Sequence, residues 1–541
     1  MAIVFLTAIP LAAIFLRLFD GPGESWQHIV DTVLPDYISN SLWLITGCVL
    51  GTFLLGVSCA WIISRYKIPL QSTLEWLLIL PLSIPSYITA YAYSGFLDYN
   101  GSLSRMLDAL GLPYTRIDIM NLGGLVFVLS ISLFPYVYLA SRAMFVFQSG
   151  RLLEAAKLLG HSERRSFFKI VLPMARPAIV GGLLLVVMEV LNDYGAAHYF
   201  GVNTFTTGIF RTWFSLEEPE TAIFLCALLL VIVFLFISIE RWTRKNKKYF
   251  LATRSQFILS KKVPAKSKRI LFGLLLGTPV FLGFLVPVGQ LVYWAVLTFD
   301  RVASDQLFLN GMQSLLIAAV GALLTVLVAL LMIYFPKWNR LRILKRSAQV
   351  TTLGYAIPGA VLAIGVMIPS LKLDNWIIET VEYFFGTKIG FVLNGTMILL
   401  VYAYVIRFLA VGFQPINSNN EKIGIRLNEA SRMLGKKHFF TLRRIDIPLL
   451  KPALIGAFIL VFIDTMKELP LTLILKPYDF NTLAVKAYEY ASDELVMEAA
   501  LPSLMIILIG VIPIIFLNYF MISGQQPPTK NNHISEQQNI E

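Results

Sequence analysis

The chain has 541 residues, 57% of them hydrophobic and only 14% charged, with a formal net charge of +12. Ordinary soluble domains carry about 25% charged residues, so a soluble multidomain enzyme is excluded, and the apolar content excludes disorder for all but the C-terminal tail. Apolar runs of about 18 to 25 residues, each able to cross a hydrocarbon core of ~30 Å, recur from end to end and define an all-α polytopic membrane protein.

Taken in chain order on a membrane-length window, helices are predicted near 2–19, 42–64, 74–97, 122–147, 176–198 and 221–239. A second set follows near 270–297, 312–335, 347–371, 390–413, 452–475 and 501–523, about twelve in all. The first is short and interrupted by Pro10, but a signal peptide would need a basic leading segment and a small-residue cleavage site, and neither stands out. Lysine and arginine crowd alternate loops. The richest is Arg241–Arg269, with Arg244, Lys245, Lys247, Lys248, Lys261 and Lys262, so the positive-inside rule makes that loop cytoplasmic and puts both termini on the same side. The +12 then needs no nucleic acid. Cys48, Cys59 and Cys226 lie inside apolar runs without partner spacing and read as packing residues. The five histidines show no metal-binding pattern.

The chain divides at a basic linker, 240–269, into a first repeat (1–239) and a second (270–523), with a polar, disordered tail at 524–541. The segment EAAKLLGHSERRSFFKIVLPMARPAIVGG from Glu154 aligns without a gap on EASRMLGKKHFFTLRRIDIPLLKPALIGA from Glu429. Upstream, Ser41-Leu42 matches Ser314-Leu315, and Ile84-Pro85 matches Ile357-Pro358. Six helices per half is an even number, so the repeats are parallel, unlike the inverted repeats of many secondary transporters. Both aligned segments, in loops 148–175 and 414–451, read as helix–turn–helix. Gly160 and Gly435 supply the left-handed residue that ends the first helix. Ser162 caps the next helix with Glu163 in its first turn, whereas Lys437 cannot. The second helix is expected to run to Pro173 or Pro448 and break there. Leu158, Leu159, Phe167 and Ile170 give the first loop an apolar face among charges, a shape suited to docking into a cytoplasmic partner.

At these residues the chain resembles the permease subunits of binding-protein-dependent ABC importers of the type I architecture. Their hallmark loop stands here as Glu154-Ala155-Ala156, Gly160, Ile170 and Leu172-Pro173, and again as Glu429-Ala430, Gly435, Ile445 and Pro448, departing at Ser431 and Ile447. The fused two-repeat form is similar to ferric iron permeases in Asn192-Asp193-Tyr194-Gly195, in the stretch from Tyr199 to Ser215 and in Met466–Pro470. The resemblance implies two coupling loops, each seated in one copy of an ATP-binding subunit, and an extracytoplasmic binding protein delivering substrate to a bacterial inner membrane. The sequence itself has no G-x-x-x-x-G-K-[ST], so the chain is expected to be a pathway and transducer rather than an enzyme. No cofactor is expected on it, ATP and magnesium belonging to the partner.

After each loop comes a helix with two carboxylates, Glu189 and Asp193 in the first repeat, Asp464 and Glu468 in the second. Four-residue spacing puts each pair on one face, and acids at membrane depth usually face a bundle interior. Three readings stay open, the plainest being that the acids lie near a helix end where water reaches them. The four form an oxygen-rich ring that transiently contacts a hard cation such as ferric iron, with Tyr194 adding a phenolate and no firm metal site implied. Or they form a structural network, as Lys467 three residues from Asp464 allows. Arg142 and Arg407 are expected to sit alike at helix ends and snorkel. Pro81, Pro85 and Pro358 are expected to break their helices, letting Ser86, Tyr87, Tyr91 and Tyr355 line a cavity. Arg211 and Trp213 are candidates to meet the binding protein. The same architecture serves thiamine, polyamines and oxyanions. A rival of another class, an ion-coupled secondary transporter, would use the carboxylates as a relay and need no ATP.

Overall fold

Proline and glycine shape this membrane bundle as much as hydrophobicity does. The computed structural model describes residues 2–114, 117–148, 156, 160–245, 261–339, 357–423 and 426–523. Glu154, Ala155, Leu158, Leu159, Tyr355, the middle of the linker and the tail lie outside these residues.

Helix α1 is Ala2–Arg17 and α2 is Leu34–Arg65. The third expected span is broken. Helix α3 (Gln71–Leu77) and a tight turn at Leu80–Ser83 meet α4 (Ser86–Phe96) at a bend of 92°, where Pro85 removes a donor and bars helical geometry at Ile84. Helix α5 is Leu122–Gln148, and α6 runs unbroken over Glu163–Asn192. Short helices α7 (Gly195–Tyr199) and α8 (Phe205–Phe210) lead to α9, Pro219–Lys245. The second repeat follows suit with α10 (Lys266–Val302), α11 (Asp305–Asn339), α12 (Gly359–Phe385), α13 (Met397–Ile423), α14 (Arg426–Met433) and α15 (His438–Lys467). It ends with α16 (Pro470–Leu475), α17 (Leu483–Ser492) and α18 (Ala500–Ser523). Among the described residues nine helices are long and apolar enough to cross a membrane, or ten with the bent pair. The twelve expected are not all reached, because α1 has 16 residues and the apolar part of α18 described in full, Ala500–Pro513, is shorter than a span.

The repeat is visible in the packing. Helices α2, α5 and α6 form one triple, and their counterparts α11, α13 and α15 form another. Close approach in the first triple depends on small residues. A Cβ on Gly47 would lie 2.7 Å from Val126, and one on Gly51 would lie 2.4 Å from the Ser130 hydroxyl. Where dispersion must replace the hydrophobic effect, such Gly-x-x-x-Gly contacts set the helix spacing. The three cysteines are buried and unpaired, as packing residues should be.

The opening helices cross over: α1 packs on α12 of the second repeat, and α10 packs on α4 of the first. Two prolines and two tyrosines secure the exchange. Pro10 has no N–H to give the Leu6 carbonyl one turn back, and Tyr402 donates its hydroxyl to that oxygen at 2.7 Å. In α10 the next donor due to the Leu282 carbonyl is Pro287, and Tyr93 supplies the missing bond at 2.7 Å. Each half therefore closes on the other.

One expectation about the loops is overturned. The chain does not break at Pro173 or Pro448. It passes through wide turns with five-residue hydrogen bonding at Phe167–Val171 and Leu442–Asp446, each ending two residues before its proline. Phe281–Leu285 precedes Pro287 in the same way. Proline clashes with the carbonyl four residues back, and the wider π turn moves that carbonyl aside, so the helix continues. The glycine and capping features of the loops stand as expected, while Leu158 and Leu159 lie outside the described residues. Gly160 has φ +76° and Gly435 φ +73°. Ser162 accepts from the Arg165 N–H while Lys437 makes no side-chain cap.

Candidate functional site

The two repeats meet around a cavity of about 110 Å³. Its wall includes Glu189, Asp193, Tyr194, Asp464 and Glu468, the five residues singled out for a pathway, together with Ser86 and Tyr87 beside the break in the first repeat. Tyr91 is buried but lies outside the wall.

The carboxylates reach the cavity at helix ends that fall earlier than the apolar runs suggest. The expected spans 176–198 and 452–475 both stop early. Helix α6 ends at Asn192 and α15 at Lys467, and the next residue of each leaves helical geometry, Asp193 at φ −68°, ψ 119° and Glu468 at φ −71°, ψ 116°. Asp193 and Glu468 still line the same cavity as Glu189 and Asp464, and the extended ψ turns the chain that follows them. Each heads the short helix that follows. Asp193 Oδ1 accepts from the N–H groups of Ala196 and Ala197 at 3.1 and 3.0 Å, and its Oδ2 accepts from the Ser86 hydroxyl. Glu468 Oε1 accepts from the Leu471 N–H at 3.3 Å. A helix N-terminus favours a carboxylate through its unpaired N–H groups and its dipole, which offsets part of the cost of burying the charge.

Two cations also line the cavity, Arg407 and Lys467. Arg407 was expected to snorkel like Arg142. Instead it is 4% exposed, with Nε 3.0 Å from Glu468 Oε2 and Nη1 donating to the Ile357 carbonyl. Arg142 pairs with Glu75. The difference is one of register. The repeat offset aligns Arg407 with Ser132, in the middle of its span, so no interface is within reach and the buried Glu468 is its counter-ion. Lys467 lies 3.9 Å from Asp464 and donates to the Leu82 carbonyl at 2.8 Å. The wall thus holds four carboxylates against two cations, an acidic balance with both cations engaged.

Tyr194 is held by its neighbours. Its ring stacks on Phe210 with centroids 3.7 Å apart, and its hydroxyl accepts from that of Tyr488 at 3.0 Å. No three His, Cys, Asp or Glu side chains converge closely enough to hold a metal ion among the described residues. Sequence reading missed Asn192 and Arg407 in the cavity wall and Gly359, whose N–H donates to Asn192, beside it. The signal was present in the repeat, since Asn192 precedes Asp193 as Lys467 precedes Glu468, and Gly359 follows Pro358 as Ser86 follows Pro85.

Of the loop residues, Ala156 is buried and Pro173 and Pro448 lie just past the π turns inside the helices that lead to the cavity. Ile170 and Ile445 fall inside the π turns, while Glu429, Ala430 and Gly435 are exposed. Arg211 and Trp213 fall in a further π turn, Arg211–Ser215, away from the cavity wall.

Comparison with known proteins agrees with this architecture. Residues 52–246 match the family described as binding-protein-dependent transport system inner membrane component. The chain is 25% identical over 518 residues, 95% of both chains, to an Fe(3+)-transport system permease protein of Haemophilus influenzae. It is 21% identical over 489 residues, 86% of this chain and 69% of the relative, to a ferric transport system permease protein of Actinobacillus pleuropneumoniae. A spermidine/putrescine transport system permease of H. influenzae matches 183 residues at 28% identity, 33% of this chain and 63% of its own. With its long apolar helices, its paired bundles and this likeness along nearly its whole length, the chain is a multi-pass membrane protein similar to the permeases of binding-protein-dependent transport systems, the ferric transport permeases among them.

Proposed function

We propose that this permease moves ferric iron into the cytoplasm as the transmembrane subunit of an ATP-driven importer. An extracytoplasmic binding protein presents the cargo. Two copies of an ATP-binding subunit dock at the loops 148–175 and 414–451, hydrolysis belonging to them because this chain carries no phosphate-binding loop. Both termini and the basic linker face the cytoplasm. The observation that carries the reading is the cavity itself. Each repeat delivers one pair of acids to it, at the end of a helix that begins in its own hallmark loop. Oxygen donors suit a hard cation.

In this reading Glu154, Ala155, Ala156, Gly160, Ile170 and Pro173, with Glu429, Ala430, Gly435, Ile445 and Pro448, form the coupling surfaces. Glu189, Asp193, Tyr194, Asp464 and Glu468 line the route. A polyamine is the second reading, favoured by the match to a spermidine/putrescine permease and by the excess of carboxylates over cations in the wall.

The test is uptake of radioactive ferric iron by cells producing the chain with its partner subunits, compared with a Gly160→Pro, Gly435→Pro double variant. Proline fixes φ near −65°, which the left-handed geometry at both positions forbids. Uptake should be present in the wild type and abolished in the variant, with the chain still in the membrane. Polyamine uptake in place of iron would support the second reading, and iron uptake that survives the double variant would refute coupling through the loops.

A further inference from the structure

The residue before Asp193 and the residue before Glu468 both reach across the boundary between repeats. Asn192 accepts at Oδ1 from the backbone N–H of Gly359 at 2.6 Å. Lys467 donates from Nζ to the backbone carbonyl of Leu82 at 2.8 Å. The repeat makes Asn192 and Lys467 equivalent, and their targets flank the proline breaks, Leu82 just before Pro85 and Gly359 just after Pro358. One bolt is a neutral amide and the other is an ammonium group. The charged one has a second attachment, since the same Nζ lies 3.9 Å from Asp464 on the cavity wall. Other charges on that wall are Glu189, Asp193, Glu468 and Arg407, the last tied to Glu468.

An ammonium group out of bulk water stays where a carboxylate and a carbonyl satisfy it. A cation entering the cavity competes for that carboxylate and weakens the reason for Lys467 to remain. An anion does the opposite and adds to the hold on the ammonium group. We propose that Lys467 is a specificity-determining tethered cation, bridging Asp464 to the broken helix of the other repeat until a cationic cargo displaces it. The proposal rests on the reading of the cavity as the cargo route.

The experiment uses the complete complex, permease with its ATP-binding subunits, in lipid nanodiscs. It measures ATP hydrolysis without cargo and with iron-loaded binding protein, for wild type, Lys467→Met and Asn192→Ala. Lys467→Met should raise the cargo-free rate about tenfold, the factor that loss of one charge-assisted hydrogen bond gives a two-state equilibrium, and it should erase most of the iron-dependent stimulation. Asn192→Ala removes a neutral bolt, so it should raise the cargo-free rate by a smaller factor and leave stimulation in place. A wild-type cargo-free rate in Lys467→Met, or full stimulation on top of a raised one, overturns the proposal. Should Lys467→Met fail to assemble, an unchanged cargo-free rate in Asn192→Ala overturns it, since the symmetry-related bolt would then hold nothing. Absence of any iron response in the wild type is a different result. It would refute iron as the cargo, and the cargo-free rates would still decide whether Lys467 is a latch.

Discussion

Arg407 shows most clearly what one residue can hide. In sequence it looks like a basic residue near the end of an apolar run. In the structure it is a buried counter-ion, held by the Glu468 carboxylate and the Ile357 carbonyl. A buried pair of this kind is worth little against a well-packed apolar substitute, but breaking it strands a charge at a cost of about 3–5 kcal/mol. Arg407→Met should therefore lower stability by about that amount, read as a fall in the unfolding midpoint of the detergent-solubilised protein. Arg407→Met combined with Glu468→Met should recover most of the loss. A double variant as unstable as the single one would show that Arg407 acts through packing. The acids themselves were legible, because ionisable residues in apolar runs are few and stand out. Of their cationic partners, Lys467 was legible three residues from Asp464, but Arg407 was not, since pairing across 61 residues with Glu468 leaves no local pattern.

Among the elements, the long apolar helices were legible from hydropathy and their interruptions less so. The positive-φ glycines at 160 and 435 follow from the only residue type that takes that geometry freely. The fate of Pro173 and Pro448 did not follow, because proline can either end a helix or be absorbed by a π turn, and tertiary packing decides which. The stops at Asn192 and Lys467 were also missed, the apolar composition running on past the true ends. Helix spacing gives a direct test. The Ser130 hydroxyl occupies the place where a Cβ on Gly51 would go, so Gly51→Val should force α2 away from α5. Overpacking of this kind costs about 1–3 kcal/mol and should appear as reduced thermal stability in detergent. Ser130→Gly in the same chain should return part of it. A Gly51→Val protein as stable as the wild type would show that the two helices separate freely.

At the scale of the molecule, the internal repeat foretold two parallel bundles but not their interlocking. Self-comparison cannot show that α1 leaves its own repeat for α12 or that α10 crosses to α4, because both helices lie outside the aligned segments. The interlock has a measurable outcome. Residues 1–255 and 256–541, produced as two chains in one cell, should assemble and purify together, since each supplies a helix to the other. Changing both Tyr93→Phe and Tyr402→Phe should weaken recovery of the pair, as each change leaves a proline-freed carbonyl unsatisfied at about 1–3 kcal/mol. Halves that purify separately would contradict the crossed packing.

The continuity of α6 and α15 has one more consequence. Thirty α-helical residues span about 45 Å, close to the thickness of a bilayer with its headgroups, and each rod runs from inside its hallmark loop to a cavity carboxylate without an intervening loop. Loop and carboxylate are two ends of one lever. The π turn near the loop end is the one departure from α-helical hydrogen bonding along each rod, the place where a helix bends most readily. How far a displacement at the loop end is felt at the cavity end depends on the bending stiffness of two helices, and two prolines set where that stiffness drops.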